Sequence, residues 1–251
     1  QELPGLWFSQ DEVLALLTIQ NMLEQLEPGL LGPKLKPLQK RLDEMLIGQG
    51  MSTETLSQRV RVVHAGKRNL KLKCFEQIAH STLHRKQIKI QHYNRQTDKT
   101  VERVISPQQL IHYRDNWYVD AWCHLRKEVR SFAVDAITDC EQLEFDAKEL
   151  DTEELRKSMQ GGYGIFGGQV KGWAKLKFTT ERARWVKHEE WHPNQKGYDE
   201  SDGSFVLEIP YSDERELVGD IMKHGSHVTV VSPKELREIV RNELNYSIQN
   251  Y

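Results

Sequence analysis

The 251-residue sequence predicts an α+β protein in three parts: a helical hairpin, a small antiparallel β-barrel and a ferredoxin-like βαββαβ unit. Three observations predict it. Apolar residues recur at helical intervals over the first fifty positions. Short period-two segments separated by turn residues then follow, and after position 170 strand-like and helix-like segments alternate. The expected division is a helical linker or dimerisation hairpin over 1–50, a barrel domain over 51–150, and a linker with extension domain over 151–251.

In the hairpin, Ser9 and Glu12 have capping-box spacing, and Phe8 is placed to pack on Val13 as a staple. Val13, Leu16, Leu17, Leu23 and Leu26 form a stripe that Glu27-Pro28-Gly29 ends, and Pro33 can open a second helix striped by Leu35, Leu38, Leu42, Met45 and Leu46. Two short helices hold too little core, so the stripes are expected to pack on another subunit or on the next domain. Val60–Val63 reads as a short strand, Leu70–Leu83 as a helix, and Ile88–Tyr93 alternates with period two. Strands are expected around Thr100–Ile105, Leu110–Tyr113, Asn116–His124 and Val129–Ile137, with a break at Ser106-Pro107, spaced as a small barrel. The acidic stretch Glu141–Glu154 reads as a linker leading through a short helix into Gly161–Gly168. The remainder gives strand (Gly172–Phe178), helix (Thr180–Glu190), strands (Gly197–Asp199, Ser204–Pro210), helix (Glu214–Lys223), strand (His227–Val231) and helix (Pro233–Asn245).

Composition narrows the function. No apolar run reaches the ~20 residues of a transmembrane helix. Three cysteines (74, 123 and 140), without CxxC spacing, argue against a disulfide scaffold or zinc knuckle and suit a cytoplasmic protein. The chain begins Gln-Glu-Leu-Pro, which reads as a processed protein or an excised piece of a longer one. GxSxG, HExxH and P-loop motifs are lacking, so no enzyme, metal or cofactor is expected. Gly162-Tyr163-Gly164-Ile165-Phe166-Gly167 satisfies GxGxxG, but a polar helical segment precedes it and a strand follows, the reverse of a dinucleotide site; it reads as a flexible linker.

The formal charge of −2 hides an asymmetry. Arg59–Arg95 holds ten Lys/Arg against the single acid Glu76, a local +9, and the remaining residues hold 25 basic and 36 acidic side chains. Such a run is either a solvated face or a localised phosphate site. Lys89, Gln91, Tyr93 and Arg95 fall on one strand face, a cation–polar–aromatic–cation stripe suited to a phosphate backbone and a stacked base, with an ordinary outer sheet face as the alternative. Trp117, Val119, Ala121 and Cys123 share the face more simply read as core, which leaves Tyr118 for solvent or ligand.

At Asn116-Trp117-Tyr118-Val119-Asp120-Ala121-Trp122 the sequence resembles the WYL-domain transcriptional regulators of bacteria, with Val119 in place of the Leu of the name. Tyr93, Arg103, Ser106-Pro107, Tyr113, Arg130-Ser131-Phe132 and Asp135 extend the resemblance; Asp135-Ala136 replaces an Asp-Arg pair found in many members, so one basic contact is missing. Gly162–Phe166, Ala183–Val186, Trp191-His192-Pro193, Ile209-Pro210-Tyr211 and the final Val-x-Val-x-x-Pro-x-x-Leu-Arg are similar to the extension domain that follows WYL domains. The resemblance covers about residues 51–245. It implies an Sm/SH3-like barrel that senses single-stranded DNA or another nucleotide-type ligand. It also implies a homodimer whose operator-binding winged helix-turn-helix lies outside this chain. Carried over by position, Tyr93, His112, Arg114, Tyr118, Arg126 and Arg130 are the expected nucleic-acid contacts, joined by Lys89 and Arg95 from the strand argument. Arg114, Arg126 and Arg130 would meet phosphates while Tyr93 or Tyr118 stacks on a base. Ordering of the glycine segment and movement of the extension would then pass the signal on. A small-molecule or cyclic-nucleotide receptor and a purely structural dimerisation module remain the alternatives.

Overall fold

The computed structural model describes residues 61–159, 161–165 and 167–251, with scattered positions before them. Of those early positions, 11, 12, 15, 16, 18, 19, 22, 37 and 40 are helical; the expected cap, staple and interhelix turn, and most of both stripes, lie outside the described residues.

The first unit begins with helix α1 (Leu72–Leu83), which buries Cys74, Phe75, Ile78 and Ser81 along one face. Strands β1 (Lys86–Asn94), β2 (Lys99–Tyr113), β3 (Asn116–Cys123), β4 (Glu128–Ala133) and β5 (Ile137–Asp146) form an antiparallel sheet in the order β4-β3-β2-β1-β5. Ile88, Ile90, Ile105, Val119, Ala121, Cys123 and Phe132 line its apolar face, and Phe75 and Ile78 of α1 close over them. At the β2–β3 hairpin the two loop residues Arg114 and Asp115 take positive φ (46° and 62°), the conformation that matches a two-residue turn to right-handed strand twist.

Five expectations change here. The sheet is open, not a closed barrel: β4 and β5 are its two edges, and α1 covers the apolar face that closure would have buried. β2 runs unbroken through Ser106-Pro107, because a register shift between Pro107 and Gln109 accommodates a residue with no N–H to donate. The segment 61–63 has no regular structure, and the expected strand Val129–Ile137 is divided by a 3-10 turn at Val134–Ala136. The acidic stretch from Glu141 begins as strand, not linker: β5 runs to Asp146, pairs with β1 and shows water a charged edge. Its acids answer the +9 segment directly. Lys89 meets Glu141 at 2.5 Å, Lys86 meets Asp146 at 2.7 Å, and Arg85 meets Glu149 at 2.5 Å.

After helix α2 (Thr152–Met159) the second unit follows the expected β-α-β-β-α-β order: β6 (Gly172–Phe178), α3 (Thr180–Val186), β7 (Lys196–Asp199), β8 (Phe205–Tyr211), α4 (Glu214–Lys223) and β9 (Val228–Ser232), then α5 (Lys234–Ile248). Its antiparallel sheet has the order β7-β8-β6-β9. Asp213 caps α4 by accepting from the Arg215 N–H at 3.0 Å. A second core gathers Leu176, Phe178, Leu207 and Ile209 with Leu217, Ile221 and Leu236. The glycine segment is packed rather than a free linker. Tyr163 and Ile165 are buried, the Tyr163 N–H donates to the Pro210 carbonyl at 2.9 Å, and the Ile165 N–H donates to Glu216 at 2.6 Å. Gly164 has φ +86°, and a Cβ there would strike the Glu216 carboxylate.

Ile90 and Leu207 are fully buried in separate cores. Ile90→Ala and Leu207→Ala should each lower unfolding free energy by about 2–5 kcal/mol, read by urea titration of tryptophan fluorescence.

Candidate ligand site and interdomain seam

The β2–β3 turn joins three parts of the molecule. Asp115 accepts from the Ala65 N–H and pairs with His64, both at 2.9 Å, while Asn116 accepts from the Arg68 N–H at 3.0 Å; this fixes the segment ahead of α1. Arg114 reaches the other way. Its guanidinium donates to both oxygens of Asp220 on α4, at 3.1 and 2.7 Å, and to the Tyr163 hydroxyl at 2.9 Å. Tyr163 donates its own proton to Asp220 at 2.7 Å, and Lys223 adds a fourth donor at 2.7 Å. Burial opposes the charge on both partners, yet the hydrogen bonds prevail: Asp220 is held below the usual carboxylate range by Arg114, Lys223 and Tyr163, and Arg114 is raised by Asp220 and its tyrosine neighbours.

A second cluster surrounds His92 on the apolar side of the first sheet. Its ring meets Phe132 edge-on at 5.2 Å. Burial, reinforced by Arg103, Arg95 and Arg130 and opposed by Asp135, pushes its imidazole down to about 4. Asp135, with only 5% of its side chain exposed, is shared by Arg68 at 3.2 Å and by Arg95. Arg68 also donates to the Tyr118 hydroxyl at 3.1 Å. Three guanidinium groups, those of Arg95, Arg103 and Arg130, therefore act on one half-buried imidazole, and a fourth, Arg68, shares Asp135 with Arg95; Asp135 and, beside Arg130, Glu128 are the counter-charges.

The expected contact residues divide between these places. Arg95, Arg130 and Tyr118 fall in or beside the His92 cluster. Arg114 belongs to the seam, and Arg126 to the exposed β3–β4 turn. The eight residues of β3 separate those two turns by about 25 Å at ~3.3 Å per residue, so Arg114 and Arg126 cannot clasp one phosphate. The Lys89–Arg95 stripe is divided too: Lys89 pairs with Glu141, Tyr93 donates to Asp98 at 2.7 Å, and Arg95 turns to Asp135. His112 packs edge-on against Trp117 at 5.0 Å, and His112 Nε2 and Trp117 Nε1 are buried without a hydrogen-bond partner. Sequence reasoning did not assign ligand roles to Arg68, His92 or Arg103, although His92 alternates with Ile88 and Ile90 on the buried face. Tyr163 and Trp191 of the seam stood out only as positions of the resemblance, and Asp220 carried no local signal.

Two cavities flank the seam. One of about 570 Å³ lies among Tyr113, Arg114, Tyr163, Trp191, Asp220 and His224; the other, about 520 Å³, lies between Gln109, Ile111 and Asp120 on one side and Ile165, Trp191 and Pro193 on the other. Asp120 is completely buried. It accepts from Ser131 and, at 2.9 Å, from Gln109; burial raises its pKa while both hydrogen bonds oppose the rise. Among the described residues no group of three or more His, Cys, Asp or Glu is arranged to hold a metal, and no helix is long and apolar enough to cross a membrane.

Residues 73–142 match the WYL domain and residues 171–245 the WCX domain. The chain carries a WYL domain followed by a WCX domain. Protein PafC of Mycobacterium leprae is 24% identical over 162 residues, 64% of this chain and 48% of that protein. The DNA-binding transcriptional repressor CapW of Pseudomonas aeruginosa is 36% identical over 58 residues, 23% of this chain and 19% of the repressor. The chain thus spans about half the length of its PafC relative. Proteasome accessory factor B/C of Arthrobacter aurescens aligns over 97% of this chain and 36% of its own, at 22% identity and a TM-score of 0.37. A CRISPR Cas-related protein covers 72% of this chain and 51% of its own, at 14% identity and a TM-score of 0.43. Neither superposition establishes a shared overall arrangement. In these terms Arg114 is a WYL residue whose salt bridge reaches the WCX domain, and the His92 cluster belongs to the WYL sheet.

Two outcomes follow from this geometry. Arg114→Ala should cost about 1.5–3 kcal/mol, the usual worth of hydrogen bonds to charged groups, and should loosen the domains, seen as a larger radius of gyration in X-ray scattering. Arg114→Lys should fail to restore the fork, because an ammonium cannot span both carboxylate oxygens and the phenol. The second outcome concerns pH. Folded His92 stays neutral to about pH 4, while the unfolded chain takes up this proton near its ordinary 6.5. Its contribution to stability is complete above 6.5 and is lost progressively as pH falls toward 4. His92→Phe should flatten that part of the stability profile measured by urea titration between pH 7 and 5.

Proposed function

We propose that this chain is the effector-sensing and dimerisation portion of a cytoplasmic bacterial transcriptional regulator. Its WYL domain binds single-stranded DNA or a short oligonucleotide as an allosteric ligand. The ligand controls operator binding by a winged helix-turn-helix carried elsewhere in the protein, and the chain works as a homodimer. The observation that carries this reading is the His92 cluster: Arg95, Arg103 and Arg130 act on a partly buried imidazole, and the adjoining Asp135 holds Arg95 and Arg68 in place. A phosphate entering there takes over hydrogen bonds that Asp135 now receives, and guanidinium forks suit its oxygens. Arg130 and Arg95 are the primary contacts of the expected set, and Tyr118, whose hydroxyl accepts from Arg68, offers a ring for base stacking. Tyr93, Lys89, Arg126 and His112 would serve a longer strand. Arg114 acts differently, as the bridge through which the WYL domain moves the WCX domain.

A route for that movement is present. Asp135 holds Arg68, Arg68 holds the Tyr118 hydroxyl, Tyr118 packs against Tyr113 with ring centres 6.4 Å apart, and Arg114 lies 5.1 Å from the Tyr113 ring. A ligand that draws Arg68 from Tyr118 changes the support of the seam, and shifts the equilibrium by its difference in affinity for the two arrangements. A mononucleotide or cyclic nucleotide is the second reading, favoured by the 520 Å³ cavity; its binding would not grow with strand length.

Salt-titrated binding of a labelled single strand tests the proposal. Binding should be strong at about 50 mM salt, and Arg95→Ala or Arg130→Ala should each reduce the log–log salt slope by ~0.7 for one lost phosphate contact. A matched duplex should bind more weakly. Absence of single-strand binding at that salt overturns the proposal, and an unchanged slope removes the substituted arginine from the site.

A further inference from the structure

The 520 Å³ cavity at the seam is within the size range of small-molecule sites, ~300–1,000 Å³, and occupies the usual place for one, between two domains. Its floor does not suit a phosphate. The floor lies over Asp120, a fully buried carboxylate, which disfavours an anion. Part of the wall is apolar, with Ile111 of the WYL sheet across from Ile165 and Pro193 on the WCX side, and His192 and Asn194 add polar groups. Trp191 is held rigid by stacking on Tyr163 at 5.8 Å and His224 at 5.5 Å, so this wall is formed before any ligand arrives.

One polar group on the floor is oriented for recognition. Asp120 accepts from Ser131 through one oxygen and from Gln109 Nε2 through the other, at 2.9 Å. The Gln109 amide is therefore fixed in one sense. Among the described residues it makes no other side-chain hydrogen bond, which leaves one N–H and the carbonyl oxygen to face the cavity. A carboxamide offering one donor and one acceptor in a plane matches the edge of a nucleobase. Among the described residues on the lining the one Lys or Arg is Arg156 of α2, paired with Glu153 at 2.9 Å and well exposed.

We propose that this cavity takes a single nucleobase, read at its edge by Gln109, with Asp120 and Ser131 as positioning residues and Arg156 meeting the attached phosphate. The inference rests on the oligonucleotide reading above and deepens it: the base of one nucleotide of the effector enters the seam while phosphates of the strand occupy the His92 cluster. Occupation of the seam by a base would couple strand binding to the WYL–WCX interface, because the ligand would then touch both domains.

The test uses the full chain and calorimetry with the four deoxynucleoside 5′-monophosphates, and with 2-deoxyribose 5-phosphate as the base-free control. At least one mononucleotide should bind more than tenfold tighter than the control, and Gln109→Leu should remove most of that preference. Should Gln109→Leu fail to fold, Ile111→Trp, which fills the cavity and leaves its floor intact, should give the same loss. Arg95→Ala should leave the mononucleotide preference intact while weakening the single strand. No mononucleotide exceeding the control, or a preference unchanged in Ile111→Trp, overturns the base pocket and leaves strand binding standing. Base-selective mononucleotide binding by a protein that binds no single strand supports the pocket and overturns the oligonucleotide reading instead.

Discussion

Arg114 is held by one carboxylate and one phenol that lie in the other half of the molecule, and the seam depends on that fork. A guanidinium presents five donors in a rigid plane, which is what a bidentate carboxylate and a neighbouring hydroxyl require. The left-handed conformation of the tight turn projects Arg114 toward α4, while the next two residues bind the segment before α1. Three consecutive residues thus tie together the approach to the WYL sheet, the sheet itself and the WCX domain. Both cavities exist because this contact brings Tyr113 against the Trp191 loop, and Tyr163 of the glycine segment is buried because its hydroxyl completes the network on Asp220.

The His92 cluster follows a different electrostatic logic. Arginines packed this closely repel one another, and His92 answers by staying neutral. Asp135 supplies the compensation that makes the arrangement stable without a ligand, and its two hydrogen bonds keep Arg68 and Arg95 oriented. Such a site is preorganised for a second anion: the side chains are already ordered, so a phosphate meets fixed donors and less rotamer freedom remains to be lost on binding. The acidic edge strand serves a related purpose outside the cluster. By pairing with Lys86 and Lys89 it removes competing cations from the same sheet and confines positive potential to the arginine cluster.

The sequence was legible where a signal was local. The helix at Glu214–Lys223 and the strand at Gly172–Phe178 were placed at their observed bounds, because a capping aspartate marks the one and strict alternation the other. Asp139, Glu141 and Glu144 concealed β5, since an edge strand is stabilised by backbone pairing on one side and tolerates charges that propensity counts against a strand. Pro107 suggested a break in β2 because the bulge that accommodates it depends on the partner strand. Closure of the barrel depended on whether the two edges meet, a property no single segment encodes. The site residues divide in the same way. Arg130 was visible as a cation on a strand and Arg95 as one just past a strand end. The role of Arg114 was not, because Asp220 lies 106 residues away in sequence.

The cluster lies on the apolar side of the WYL sheet and the seam on its other face, and Tyr118, which touches both, gives the fold its regulatory potential. Tyr118 receives a hydrogen bond from an arginine of the cluster and packs on the tyrosine that borders the seam. A binding event at either place therefore alters the support of the other without a long chain of intermediaries. Thermodynamic linkage makes the relation reciprocal: a strand that weakens the Arg114 bridge must bind more tightly when that bridge is already open. The bridge is also the element best placed to hold the unliganded arrangement, since its carboxylate stays ionised well below neutral pH and its guanidinium remains charged throughout. On the proposed reading an effector would supply the free energy that separates the domains or locks them, and the cations beside His92 would be where that energy originates.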